Sequence, residues 1–164
     1  MKVFFATNRN PRPKSDPTGF GKRPNEVRAD ELRFGHATFE VRGTRSVFKG
    51  IEVYGERAGG RGGPRLGSEQ CFEELRAAMQ AGRDTIAFVH GYNTSFRDAL
   101  AYGAELHRVY GDGEERSVLV FSWPSDGELT PFVAYRNDRI DARTSGDALG
   151  RLLLKFRDFV NGIR

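Results

Sequence analysis

The chain has 164 residues, enough for one domain with a real core and too few for two full ones. Charged residues make up 29% and the formal net charge is +4, a mild basicity that suits a soluble globular protein and does not announce a nucleic-acid partner. The single cysteine, Cys71, excludes an intrachain disulfide and a cysteine-based zinc site, and His36, His90 and His107 have no ligand-spaced neighbours, so a metal site is not expected unless the fold brings carboxylates together.

The first predicted element is a buried strand over Val3–Thr7, stopped by the turn formers Asn8-Arg9-Asn10-Pro11. Its apolar run, Val3 to Ala6, is too short for a signal peptide or a membrane span, so a cytoplasmic chain is expected. Residues 9–30 carry four prolines and many charges and are expected to form an irregular surface excursion. Strand signals return at Ala37–Val41 and Ile51–Tyr54, with Gly43 and Gly50 between them, as in a hairpin. The Gly- and Arg-rich stretch 55–67 is expected to be a mobile loop.

From Ser68 the periodicity becomes helical. Ser68 is the expected N-cap, Phe72, Leu75 and Met79 share a face, and Gly82 marks the stop. A strand follows at Thr85–Val89. Phe96, Ala99, Leu100, Gly103, Leu106 and Tyr110 then form the stripe of a second helix. Ser117–Ser122, reading SVLVFS, is a further buried strand, and Leu149, Leu152, Leu153, Phe156 and Val160 mark a last helix from about Ser145 to Val160. The segment 131–143 is ambiguous. Buried strands alternating with amphipathic helices predict an α/β fold in three layers, a mainly parallel sheet with helices on both faces, in a single domain over 1–164.

The strand at Thr85–Val89 runs straight into His90-Gly91-Tyr92-Asn93. Function in open α/β sheets gathers at such carboxyl ends. The glycine suits a sharp bend that turns the following N–H groups out of the ladder, as acyl transfer needs for the oxygen of a tetrahedral intermediate. The Tyr92 backbone N–H is the candidate oxyanion donor, with His90, Gly91, Asn93 and Trp123 lining the crevice. The spaced glycines and Lys of a phosphate-binding loop are absent. Each residue also has a plainer reading: His90 as a loop-orienting group, Asn93-Thr94-Ser95 as a helix cap, Trp123 as packing, Cys71 as a core filler. Asp126 and Asp138 read as surface carboxylates, and one Arg61-Gly62-Gly63 box is a weak nucleic-acid signal.

"FVHGYNTSFRDAL" followed by "VLVFSWPSDG" resembles the α/β-hydrolase superfamily. More narrowly, with "FFATNR" and "LRFGHATFEV", the chain is similar to a poorly characterised bacterial family of esterase-like α/β-hydrolase proteins. That resemblance implies a nucleophilic serine, an acid and a histidine acting on a small-molecule ester or other acyl substrate, with no cofactor, membrane or nucleic acid. Yet no G-x-S-x-G elbow frames Ser46, Ser68, Ser95, Ser122, Ser125 or Ser145. In the superfamily layout the last helix precedes the elbow strand, so the fold reads as incomplete there, and the nucleophile, acid and base of the triad are expected outside this chain. Without that strand, Thr85–Val89 becomes an exposed edge with neither charge nor proline to blunt it, open to self-association. Two functions follow: the amino-terminal portion of a serine hydrolase, inactive by itself, or a non-catalytic binding module that uses the same crevice and edge. A polyanion-binding domain is the weaker third.

Overall fold

The computed structural model describes residues 1–13, 18–26, 28, 31–55, 57–60, 63–82, 84–110, 116–125 and 139–162. Its centre is β1 (Lys2–Thr7), where Val3, Phe4, Phe5 and Ala6 are all buried. A strand covered on both faces has no polar side to alternate with, which explains the unbroken apolar run. β1 pairs antiparallel with β4 (Arg33–Arg42), which pairs antiparallel with β5 (Arg45–Val53). On its other side β1 pairs in parallel with β9 (Arg116–Ser122), and β9 in parallel with β8 (Asp84–Val89). The five-stranded order is β5-β4-β1-β9-β8. The sheet is thus mixed. Parallel pairing holds where helical crossovers link the strands, and the short β4–β5 turn imposes the antiparallel half.

Pleating sends alternate residues of β1 to opposite faces. Val3 and Phe5, with Val118 and Val120 of β9, meet Phe96, Ala99, Leu100 and Ala104 of helix α2 (Phe96–Tyr110). Phe4 and Ala6, with Leu119 and Phe121, meet Cys71, Phe72 and Leu75 of α1 (Gly67–Gln80) and Ala148, Leu152 and Phe159 of α3 (Gly146–Asn161). Gly103 lets α2 lie close on the sheet: a Cβ there would stand 2.6 Å from Val120 Cγ2 and 2.8 Å from Val3 Cγ1.

Three expectations need correcting. Within 9–30, β2 (Arg9–Arg12) and β3 (Gly19–Pro24) form an antiparallel pair, anchored where buried Arg9 and Phe20 meet the main body. Within 55–67, β6 (Arg57–Gly60) and β7 (Gly63–Arg65) pair as a ribbon, because backbone pairing needs no side chains. The N-cap of α1 is Leu66, two positions earlier than the sequence suggests; Glu69 accepts the Leu66 N–H at 3.1 Å, while Ser68 lies inside the helix.

Candidate active-site turn

The carboxyl ends of β1, β9 and β8 lie side by side, in register at Thr7↔Ser122 and Val89↔Phe121. Thr7 Oγ1 donates to the Ser122 carbonyl at 2.6 Å, tying β1 to β9 at that end. Just beyond, Arg9 is 1% exposed. Its Nε donates to Ser122 Oγ at 3.0 Å, Nη1 to Gly21 O at 3.1 Å and Ser125 O at 3.3 Å, and Nη2 to Thr94 O at 2.7 Å. One side chain therefore holds the end of β9, the segment after it, the entry to α2 and the β3 strand. A planar fork with several fixed donors suits this task, and a single ammonium does not.

His90 is buried beneath the turn. Its Nδ1 stands 2.6 Å from the Gly91 carbonyl, which only accepts, so Nδ1 carries the proton. Nε2 faces Ser122 Oγ at 3.4 Å. The imidazole stacks on Trp123 with centroids 5.2 Å apart and planes 8° from parallel, and Trp123 Nε1 donates to the His90 carbonyl at 2.8 Å. The structure thus brings His90 and Trp123 together as the floor of the turn. Gly91, Tyr92 and Asn93 stand exposed above them. The left-handed residue of the bend is Asn93, at φ 55°, where the sequence reading had assigned the bend to Gly91. Asn tolerates that region because its short amide can bond locally.

The bend leads directly into α2. Thr94 N–H donates to Ser125 Oγ at 3.1 Å, and Thr94 Oγ1 to Tyr92 O at 3.1 Å. Ser95 accepts the Asp98 N–H at 3.1 Å and donates to the Asp98 carboxylate at 2.6 Å, a cap that leaves its hydroxyl engaged. The other serines are placed by the fold as well. Ser122 and Ser125 are buried in the contacts just given, Ser145 accepts from Asn8 Nδ2 at 3.0 Å, and Ser68 from Lys155 Nζ at 3.3 Å. Ser46 lies on β5, at the far edge of the sheet. Asp126, Asp138, Arg61 and Gly62 lie outside the described residues.

Sequence reasoning took Arg9 for a turn former and gave Ser125 no part in the turn. It also missed a polar cluster on the α1 face. Tyr54 donates to Glu74 Oε1 at 2.9 Å and faces His36 Nδ1 at 3.0 Å, and Lys2 Nζ donates to Glu74 Oε2 at 3.0 Å. Since the Tyr54 proton goes to Glu74, its oxygen accepts from His36 Nδ1–H. Burial, aided by the Lys2 charge, pushes His36 below its ordinary value. Burial alone would raise Glu74, but the hydrogen bonds from Lys2 and Tyr54 prevail and hold it low. Burial pushes the Tyr54 phenol and the Cys71 thiol up, so both stay protonated. Among the described residues, no group of His, Cys, Asp and Glu is placed to hold a metal ion, and no helix is long and apolar enough to cross a membrane.

No curated protein and no solved structure matches the chain. Residues 68–161, from α1 through α3 and so including the His90–Asn93 turn, match the family described as alpha/beta hydrolase of unknown function (DUF900). The five-stranded mixed sheet with helices on it is of the alpha/beta class, in keeping with that match. The chain belongs to this alpha/beta hydrolase family.

Proposed function

We propose that this chain is the oxyanion-binding portion of a serine hydrolase acting on carboxylic esters or related acyl compounds. The observation that carries the reading is the bend His90–Asn93: it ends a strand of an alpha/beta hydrolase sheet, exposes Gly91, Tyr92 and Asn93 above the buried His90, and turns at Asn93 into the amino end of α2. The Tyr92 N–H is the proposed donor to the developing alkoxide, and the positive end of α2 adds to the field there. His90, in this reading, orients the turn and takes no proton from substrate, since its ring is stacked and bonded below the surface. Gly91 leaves room above the bend: a Cβ built on it meets nothing within 4 Å.

The attacking serine, its acid and its base are proposed to come from polypeptide outside these residues, completing an αβα sandwich of which this sheet is one part. Engagement of Ser95, Ser122 and Ser125 in caps and buried contacts supports that assignment. A fluorophosphonate probe tests it. No adduct is expected on the 164-residue chain, and none of its serines should hydrolyse a p-nitrophenyl ester. A stoichiometric adduct on any serine of the chain would overturn the assignment.

A further inference from the structure

A cavity of about 240 Å³ opens on the face that α1 and α3 share, and none of its described lining residues belongs to the His90–Asn93 turn. Leu32, Phe34 and Leu66 form its apolar wall, and Arg28, Arg151 and Lys155 bring three cations to it. Lys155 is the half-buried one of the three. Its ammonium donates at 3.3 Å to the Oγ of Ser68, a residue only 4% exposed. Among the described residues that is the ammonium's one hydrogen bond, it has no ion pair, and its partner is neutral. The Ser68 hydroxyl accepts there and donates to no described group. Carboxylates stand close but are committed elsewhere. Glu31, which also lines the cavity, pairs with Arg33 at 2.6 Å, and Glu69 accepts the Leu66 N–H at 3.1 Å. Asp147 is exposed on α3 one turn before Arg151 and does not line the cavity; Asp30, next to Glu31 in sequence, lies outside the described residues.

An ammonium without a counter-charge and a hydroxyl with its proton unused, beside two guanidinium groups, call for an anion with several acceptor oxygens. A carboxylate offers two oxygens and one charge. A phosphate monoester offers three oxygens and close to two charges, and guanidinium forks match it. The first turn of α1 adds a field of the same sign. The cavity falls below the roughly 300 Å³ at which pockets for drug-sized ligands begin, so it has room for a phosphate and one small apolar group. We propose that it binds a small phosphate monoester, with the phosphate on Lys155, Ser68 and Arg151 and the apolar group against Leu32 and Phe34. Arg28 and Arg151, both exposed, attract the anion from the open side.

An amide NMR titration of the intact chain with phenyl phosphate reads the site at the Ser68 and Glu69 signals. Saturable shifts with a Kd of about 1 mM or tighter are expected. Inorganic phosphate should bind about tenfold more weakly, because it leaves the apolar wall bare. Lys155→Met should weaken phenyl phosphate by more than about tenfold, the loss of one charge-assisted bond. Arg151→Gln changes an exposed position, keeps the fold, and should weaken it by about threefold. Arg108→Gln removes the same charge from α2 and should leave the Kd unchanged. Unmoved Ser68 and Glu69 signals in a folded sample would overturn the proposal. So would inorganic phosphate or benzoate binding as tightly as phenyl phosphate, or equal losses in Lys155→Met and Arg108→Gln. These signals lie on α1 and those of the turn at Tyr92 and Asn93, so either reading can fail while the other stands.

Discussion

Arg9 joins four segments that are distant in sequence, and its removal should be felt at each of them. Arg9→Met would strip the donor from Thr94 O, Ser125 O, Gly21 O and Ser122 Oγ inside the protein, where unmet acceptors cost the most. A loss of about 3–4 kcal/mol is expected, seen as a lower urea midpoint. Arg9→Lys should recover less than half of it, because one ammonium cannot reach all four acceptors. Full rescue by lysine would show that charge alone matters. Gly91→Ala separates ligand room from folding. With nothing within 4 Å of the added methyl, its thermal midpoint should stay within about 1 °C of wild type, because surface changes of this kind are nearly neutral. Affinity for a tetrahedral anion should nevertheless fall. The turn itself was legible from His90-Gly91 after an apolar run. Arg9 was not, because a charged residue between two asparagines before a proline reads as exposed turn, and only the tertiary fold reveals its burial.

At the scale of elements, the polar cluster of His36, Tyr54 and Glu74 links β4, the end of β5 and α1, with Lys2 of β1 closing it. His36 sits below its ordinary 6.5 in the folded chain, so folding favours its neutral form. The unfolded chain therefore binds more protons as pH falls through 6.5, and stability that is full above that value is lost below it. Glu74, also held low, adds a further loss below its ordinary 4.5. His107 is lowered too, by burial and then by the terminal amine, and acts in the same direction as His36. The urea midpoint should drop between pH 8 and pH 5.5. His36→Gln should flatten the drop without abolishing it, leaving the share of His107. An unchanged slope would remove His36 from the cause. Packing offers a second check: Gly103→Ala gains helix propensity of about 1 kcal/mol but drives a methyl into Val120 and Val3, and a net destabilisation is expected by calorimetry. Helices α2 and α3 were legible because a stripe of large apolar residues leaves one periodicity. The β2–β3 and β6–β7 pairs were not, since proline, glycine and arginine carry no alternation and their pairing rests on backbone groups.

On the scale of the whole molecule, β5 and β8 are the two edges of the five-stranded sheet among the described residues. β5 alternates exposed with partly covered residues, while β8 and the helices beside it present apolar surface outward. The alpha/beta class was legible from strands alternating with helices. So was the antiparallel β4–β5 hairpin, from two strand signals with glycines between them, whereas the β1–β4 pairing was not, because a buried strand reads the same whichever way its neighbour runs. The turn at Tyr92 is tested most directly by an amide NMR titration of the intact chain with a monoalkyl phosphonate, a stable anion shaped like the tetrahedral intermediate. Saturable shifts of the Tyr92 and Asn93 amide signals, weakened in Gly91→Ala, are the expected result. Unmoved Tyr92 and Asn93 signals in a folded sample, at phosphonate concentrations into the millimolar range where even weak ligands bind, would contradict an oxyanion role for this turn.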